Sequence, residues 1–315
     1  MSEITQDVAK AVATLQQGLP VALPTETVYG LAALAFNEEA VREVYKLKQR
    51  PLNHPLILHV APEFDLNLWV TNISPKAKKL IKTFWPGPLT LVFKRKQVLD
   101  CVTGGQDTVA VRCPLHPMTQ KVLTCLGEPL VMPSANPFGK ISPTTADHVA
   151  ESFKDKDLLI LDGGRCKLGI ESTIVSALED SVGHIMRKGA IEDEKIHQAL
   201  KVKPVKASTE RVPGQLAQHY QPQKKVFVFR HINELIKTYA ANTKPIYVIA
   251  FHPLKSVPQA YFFQLDKDPK QVAYELYYQL RIADKSDAAA IYIELPLNDP
   301  KWAAINDRIL RAASY

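Results

Sequence analysis

Along the first two-thirds of the chain, short apolar runs alternate with stretches whose apolar residues recur every three or four positions. The first pattern marks strands and the second amphipathic helices. The N-terminus, MSEITQDVAKAVATLQQG, reads as a helix with Val8, Val12 and Leu15 in one stripe, stopped by Gly18 as a C′ residue. Asn37 is placed to cap EEAVREVYKLKQR (38–50), which has acids in its first turn and bases in its last, matching the helix dipole. Ser74-Pro75 opens a further helix through Phe84, as an N-cap followed by proline at N1. PVALPT (20–25), PLILHV (55–60), LTLVF (89–93), TVAVR (108–112), PLVMP (129–133), DLLILD (157–162), STIVS (172–176) and GHIMR (183–187) read as strands. Several are almost continuously apolar, as strands covered on both faces are, so the alternation predicts an open α/β sheet.

Residues 201–224 break the rhythm. They are rich in proline, lysine and polar residues without a sustained period, and they read as an interdomain linker. The pattern then resumes with VFVF, a helix over 231–241, PIYVIAF, a long helix over 269–283, AAIYIEL (289–295) and a helix from 300 to the end. That predicts a smaller Rossmann-like α/β unit. It has neither GxGxxG nor a Walker A loop, so it is not read as the nucleotide site. The expected organisation is a first domain over 1–203, a linker over 204–224 and a second domain over 225–315.

Composition changes this picture little. A chain of 315 residues, 46% hydrophobic and 23% charged, can bury two ordinary cores. No run approaches the roughly 20 apolar residues of a transmembrane helix, and the N-terminus lacks a secretory apolar core, so a cytoplasmic protein without membrane contact is expected. Cys101, Cys113, Cys125 and Cys166 form no CxxC pair, which disfavours zinc ribbons and redox motifs. The net charge is +7, but residues 1–205 hold 24 Lys and Arg against 22 Asp and Glu, so the excess lies beyond them. Weak contact with RNA fits that balance, while a strong nucleic-acid surface needs denser cations.

Candidate chemistry gathers where strands end, as ligands do in open α/β sheets. Pro24-Thr25-Glu26-Thr27-Val28-Tyr29-Gly30 sets hydroxyls and a phenol at one strand end, or else supplies a helix cap and packing. Lys48 and Arg50, followed by His54, put cations at a helix end; they either complement the dipole or clamp a triphosphate. Ser134 and Asn136, then Ser142, suit phosphate oxygens or ordinary turns. Asp162-Gly163-Gly164 and Gly169-Ile170-Glu171-Ser172 permit close backbone approach to a ligand, or a plain tight turn. His59 shares a strand face with Ile57, opposite Leu56 and Leu58, and Arg112 and Arg187 each end a strand.

In order along the chain, PTETVYGL, KQRPLNHPLILHV, FWPGPLTLVFK, TVAVRCPLHP, PSANPFGKISPTTADHV and LDGGRCKLGIESTIVS closely resemble the YrdC-like family of threonylcarbamoyl-AMP synthases. The KxR and SxN pairs, Lys48/Arg50 and Ser134/Asn136, are that family's hallmark. VPGQLAQHYQP (212–222) and WAAINDRILRAA are similar to the linker and last helix of its longer, two-domain members. The resemblance implies an open twisted mixed sheet followed by the smaller Rossmann-like domain. It further implies a nucleotidyltransferase that makes L-threonylcarbamoyladenylate and pyrophosphate from L-threonine, bicarbonate and ATP, for a tRNA modification.

By the same resemblance, Thr27, Tyr29, His59, Arg112 and Ser172 would hold L-threonine. Lys48, Arg50, Ser134 and Asn136 would carry the chemistry at the phosphates, with His54, Thr108, Ser142, Arg187 and the linker's Tyr220 completing the ATP site. Mg²⁺ would arrive with ATP and be held through phosphate and water, and the product would pass to a tRNA threonylcarbamoyl transferase complex. Two departures stand out: His54, where Asn or Lys is more common, and Arg187-Lys188-Gly189, where Arg-Pro-Gly is usual. Alternatives are a carbamoyl-adenylate-forming carbamoyltransferase and an RNA-binding module.

Overall fold

The computed structural model describes residues 2–201, 210–214, 220–239, 244–253 and 260–313. Its Cα atoms divide into two compact units, 1–138 with 142–215 and 139–141 with 216–315.

In the first unit the strands are β1 (Glu3–Thr5), β2 (Val21–Leu23), β3 (Gly30–Leu34), β4 (Ile57–His59), β5 (Val70–Thr71), β6 (Leu89–Arg95), β7 (Thr108–Arg112), β8 (Leu130–Val131), β9 (Leu159–Leu161), β10 (Thr173–Ser176) and β11 (Ile185–Arg187). They form one mixed sheet in the order β1-β9-β2-β3-β8-β4-β7-β6-β10-β11, with β5 beside β6. The helices are α1 (Val8–Gln16), α2 (Glu38–Lys48), α3 (Pro75–Phe84), α4 (Asp100–Thr103), α5 (Pro117–Leu126), α6 (Ala146–Ser152) and α7 (Asp193–Leu200).

The predicted caps are present. The Asn37 and Ser74 side chains accept from the Ala40 and Ala77 amides, and Gly18 has a φ of +78°. The N-terminus differs from its helical reading: Glu3–Thr5 is an edge strand along β9, and only then does Asp7 cap α1. That strand is largely exposed and polar, so its conformation is set by a partner more than 150 residues away and not by local pattern.

The second unit has four parallel strands, β12 (Lys225–Phe229), β13 (Ile246–Ala250), β14 (Ala260–Gln264) and β15 (Ala290–Glu294), in the order β12-β15-β13-β14. Its helices are α8 (Ile232–Tyr239), α9 (Pro269–Lys285) and α10 (Ala303–Ala312). The edge strand β14 falls outside the sequence expectation. Among the described residues, no helix is long and apolar enough to cross a membrane.

Candidate active site

Strand alternation gives the first unit's sheet two different faces. Leu58 of β4, Leu91 and Phe93 of β6, Val109 and Val111 of β7 and Val175 of β10 enter a core with Val41 and Val44 of α2, Leu80 of α3 and Ile196 of α7. On the other face Ile57, Val92, Ala110, Ile174 and Met186 form a separate apolar floor that also contains Val212. The polar candidates carried on strands, His59, Arg112 and Arg187, lie on that second face. Register runs from His59 to Arg112, Arg112 to Thr90, Thr90 to Ile174 and Ile174 to Arg187, a single row across five strands.

The PTET turn meets the row at Arg112. The Thr25 hydroxyl lies 2.6 Å from the Val28 carbonyl and 2.8 Å from Thr27 Oγ1. A carbonyl only accepts, so Thr25 directs its single proton there, and its oxygen accepts from the Thr27 and Val28 amides at 3.1 and 3.2 Å. Next in sequence, Glu26 Oε1 accepts from Arg112 Nη2 at 2.7 Å, and Oε2 accepts from the Leu115 amide at 3.0 Å. Arg112 Nε reaches the Gly87 carbonyl at 3.3 Å. Tyr29, by contrast, is buried with its hydroxyl between the Gly164 carbonyl at 2.8 Å and the Gly163 amide at 3.1 Å, so it ties two loops together.

His59 is buried with Nδ1 3.0 Å from the Ile57 carbonyl. The ring proton therefore sits on Nδ1 and Nε2 carries a lone pair. Burial, with Arg112 nearby, pushes its pKa down to about 3. The imidazole is neutral in the folded state and protonates near its ordinary value on unfolding. Stability is thus present above pH 6.5 and lost as pH falls toward 3, by about 2 kcal/mol at pH 5. Denaturant titrations from pH 7 to 4 should show this loss, and His59→Gln should remove that part of it.

Lys48 ends α2, where Gln49 takes a left-handed φ of 53°. Its fully buried ammonium donates to the Ser134 carbonyl at 2.5 Å and the Asn136 carbonyl at 2.6 Å. Burial, then Arg50, holds the Lys48 pKa well below the usual lysine range. Arg50 donates to the Pro55 carbonyl at 2.9 Å and lies 5.5 Å from the centre of the Phe138 ring. His54 meets the same ring edge-on at 5.1 Å, and burial, then Arg50 and Arg211, lowers its pKa. The two cations thus fasten the loops around Ser134–Asn136 and 50–55. Ser142 Oγ donates to Glu171 Oε1 at 2.7 Å.

At the far end of the row, Arg187 donates to the Ser172 carbonyl and hydroxyl at 2.9 and 3.0 Å. It also donates to the Pro213 carbonyl at 3.0 Å, while Ser172 Oγ lies 2.8 Å from Thr90 Oγ1. The Gln106 side chain pairs with the Arg211 amide at 2.8 Å and its carbonyl at 3.1 Å, and Thr108 stands 3.5 Å from Glu210. The described start of the linker thereby lies along the polar face. A Cβ at Gly189 would collide with the Ser172–Thr173 backbone, so glycine sets the close approach of this turn. In the second unit Tyr220 is buried, stacked on Tyr277 at 5.5 Å, with Arg308 5.0 Å from its ring centre.

The sequence reading passed over Glu26, Thr90, Phe138 and Glu171. Thr90 was accessible from alternation in LTLVF. Glu26 and Glu171 were the lone acids inside otherwise hydroxyl-rich motifs.

A mixed sheet with α2, α3 and α7 on one face and α1 and α5 over part of the other, whose remaining area bears buried cations, hydroxyls and a neutral imidazole, followed by a four-stranded parallel unit, defines a two-domain α/β protein. A family model of the Sua5, YciO and YrdC proteins, described as "Telomere recombination", matches residues 13–189. A second, described as "Threonylcarbamoyl-AMP synthase, C-terminal domain", matches residues 191–314. Threonylcarbamoyl-AMP synthase of Pyrococcus abyssi is 36% identical, over 96% of this chain and 92% of its own length. That of Bacillus subtilis is 35% identical, over 97% and 92%. The crystal structure of P. abyssi Sua5 complexed with L-threonine matches with a TM-score of 0.87 at 31% identity, over 99% of each chain. The chain belongs to the Sua5/YrdC family.

Proposed function

We propose that this chain is a nucleotidyltransferase that forms L-threonylcarbamoyladenylate and pyrophosphate from L-threonine, bicarbonate and ATP. The observation that carries the reading is the row His59–Arg112–Thr90, met at Arg112 by the turn that carries Thr27, in a chain that matches an L-threonine complex over nearly its whole length. Arg112 suits the amino acid's carboxylate. Thr27 and the unprotonated Nε2 of His59 suit donors, namely its ammonium and hydroxyl, and Ser172 lies beyond Thr90 on the same face.

In the reaction the amine, having lost its proton, adds to bicarbonate carbon and expels water, giving N-carboxy-threonine. That carboxylate attacks the α-phosphorus and pyrophosphate leaves. The residues bind and orient, and they need form no covalent intermediate. Arg50, His54, Ser134, Asn136, Ser142, Thr108 and Arg187 are assigned to the nucleotide, with Lys48 fixing the Ser134–Asn136 turn from behind. Excluding water protects a labile mixed anhydride, and the apolar floor that includes Val212 serves that end.

The Ser142 hydroxyl and Glu171 carboxylate are hard oxygens of the kind Mg²⁺ accepts, so these residues fit an ion entering with ATP. When bound, it supplies charge neutralisation at the phosphates. The cytoplasm is the compartment this reading implies, and a tRNA threonylcarbamoyl transferase complex would take up the product.

Labelled bicarbonate supplied with ATP and L-threonine should appear in an adenylate whose mass contains threonine, one carbonyl and AMP. Label entering an adenylate from carbamoyl phosphate instead would transfer the chain to the carbamoyltransferases.

A further inference from the structure

We propose that Glu26 is a positioning residue for amino-acid recognition: it fixes the plane of Arg112 and balances its charge, so that the pocket takes a zwitterion. The inference rests on the functional reading above and deepens it.

Both residues are buried, at 4% and 5% exposure, so neither charge is screened by water. Glu26 is itself rigidly held. Its two carboxylate oxygens take Arg112 Nη2 and the Leu115 amide, and its backbone carbonyl takes the Leu168 amide at 2.8 Å. Its neighbours Thr25 and Thr27 belong to the same hydrogen-bonded turn. Arg112 is pinned on the other side by the Gly87 carbonyl through Nε. Two pins fix a planar guanidinium, and Nη1 is then the nitrogen with no protein partner among the described residues. The edge that carries Nη1 is the one presented to a substrate carboxylate.

Charge completes the argument. Arg112 and Glu26 sum to zero, and His59 beside them is neutral. An amino acid carrying one ammonium and one carboxylate therefore enters without leaving an unbalanced buried charge. An acid lacking the ammonium would bring a net negative charge beside Glu26.

Glu26→Gln separates this role from simple structural support. A glutamine has one acceptor oxygen for two donors, and its amide would face either Arg112 or the Leu115 N–H. The expected result is a KM for L-threonine raised about tenfold or more, with the KM for ATP within about twofold of wild type. In the same variant the pocket gains net positive charge, so 2,3-dihydroxybutyrate, the analogue without the amine, should lose less affinity than threonine does. Equal losses for the two compounds, or an ATP KM that rises in step, would overturn the proposal.

If the glutamine variant does not fold, Glu26→Asp decides. It keeps the charge but withdraws the carboxylate by one methylene, so threonine KM should rise severalfold while discrimination against the deaminated analogue persists. A wild-type KM in that variant overturns the role. Wild-type turnover that ignores threonine would count against the functional reading itself, whereas a threonine-dependent wild type with unchanged variant ratios counts against Glu26 alone.

Discussion

Arg112→Ala should lose threonine-dependent turnover and become markedly less stable in one step. Arg112 donates to Glu26 at 2.7 Å with both groups buried, so the variant leaves an unpaired carboxylate in the interior. Breaking a buried pair from one side costs about 3–5 kcal/mol. Loss of a charged hydrogen bond to the substrate carboxylate adds a rise of about 10- to 150-fold in the threonine concentration needed. The two effects can be separated. Removing both partners, as in Arg112→Met with Glu26→Gln, should recover most of the stability in a denaturant titration but none of the threonine affinity, because only the first effect comes from an unbalanced charge. Recovery of both together would mean that Arg112 acts through the fold and not through the substrate.

The second large effect is expected at Lys48. Its ammonium holds two carbonyls, those of Ser134 and Asn136, at 2.5 and 2.6 Å, and it has no exposure with which to seek water instead. Lys48→Ala leaves those carbonyls and a cavity behind, at a cost of about 2–5 kcal/mol. The Ser134–Asn136 turn loses its tether, and on the proposed assignment the donors it supplies to the phosphates lose their alignment. Turnover at saturating threonine should fall on the order of a hundredfold, read as kcat/KM for ATP, with threonine affinity nearly unchanged. Lys48→Arg should not rescue it, since a planar fork cannot replace a compact ammonium between two converging carbonyls. A threonine defect as large as the ATP defect would contradict this division of labour.

The elements most legible in the sequence are those whose cause is local. TVAVR is a strand over its whole length, and α2 and α3 begin where Asn37 and Ser74 cap them. Alternation within PLILHV correctly set His59 with Ile57 and away from Leu58, and that one fact places the polar face. What escaped is set by distant partners. β3 reads GLAAL, glycine and alanine with low strand propensity, and it exists because β2 and β8 pair with it on either side. Glu26 meets Arg112, and Lys48 meets the Ser134 carbonyl, each across 86 positions. No local period carries such a pairing. The partner of each charge is fixed only by the sheet that brings those loops together.

The measurement that bears most directly on the account is pyrophosphate release by the purified chain with Mg-ATP, in a matrix of bicarbonate present or absent and L-threonine, L-serine, glycine or carbamoyl phosphate. Release that requires both bicarbonate and L-threonine, with serine and glycine far weaker, is the predicted result. Release that proceeds without threonine, or only with carbamoyl phosphate, would contradict the threonine pocket built on Thr27, His59 and Arg112.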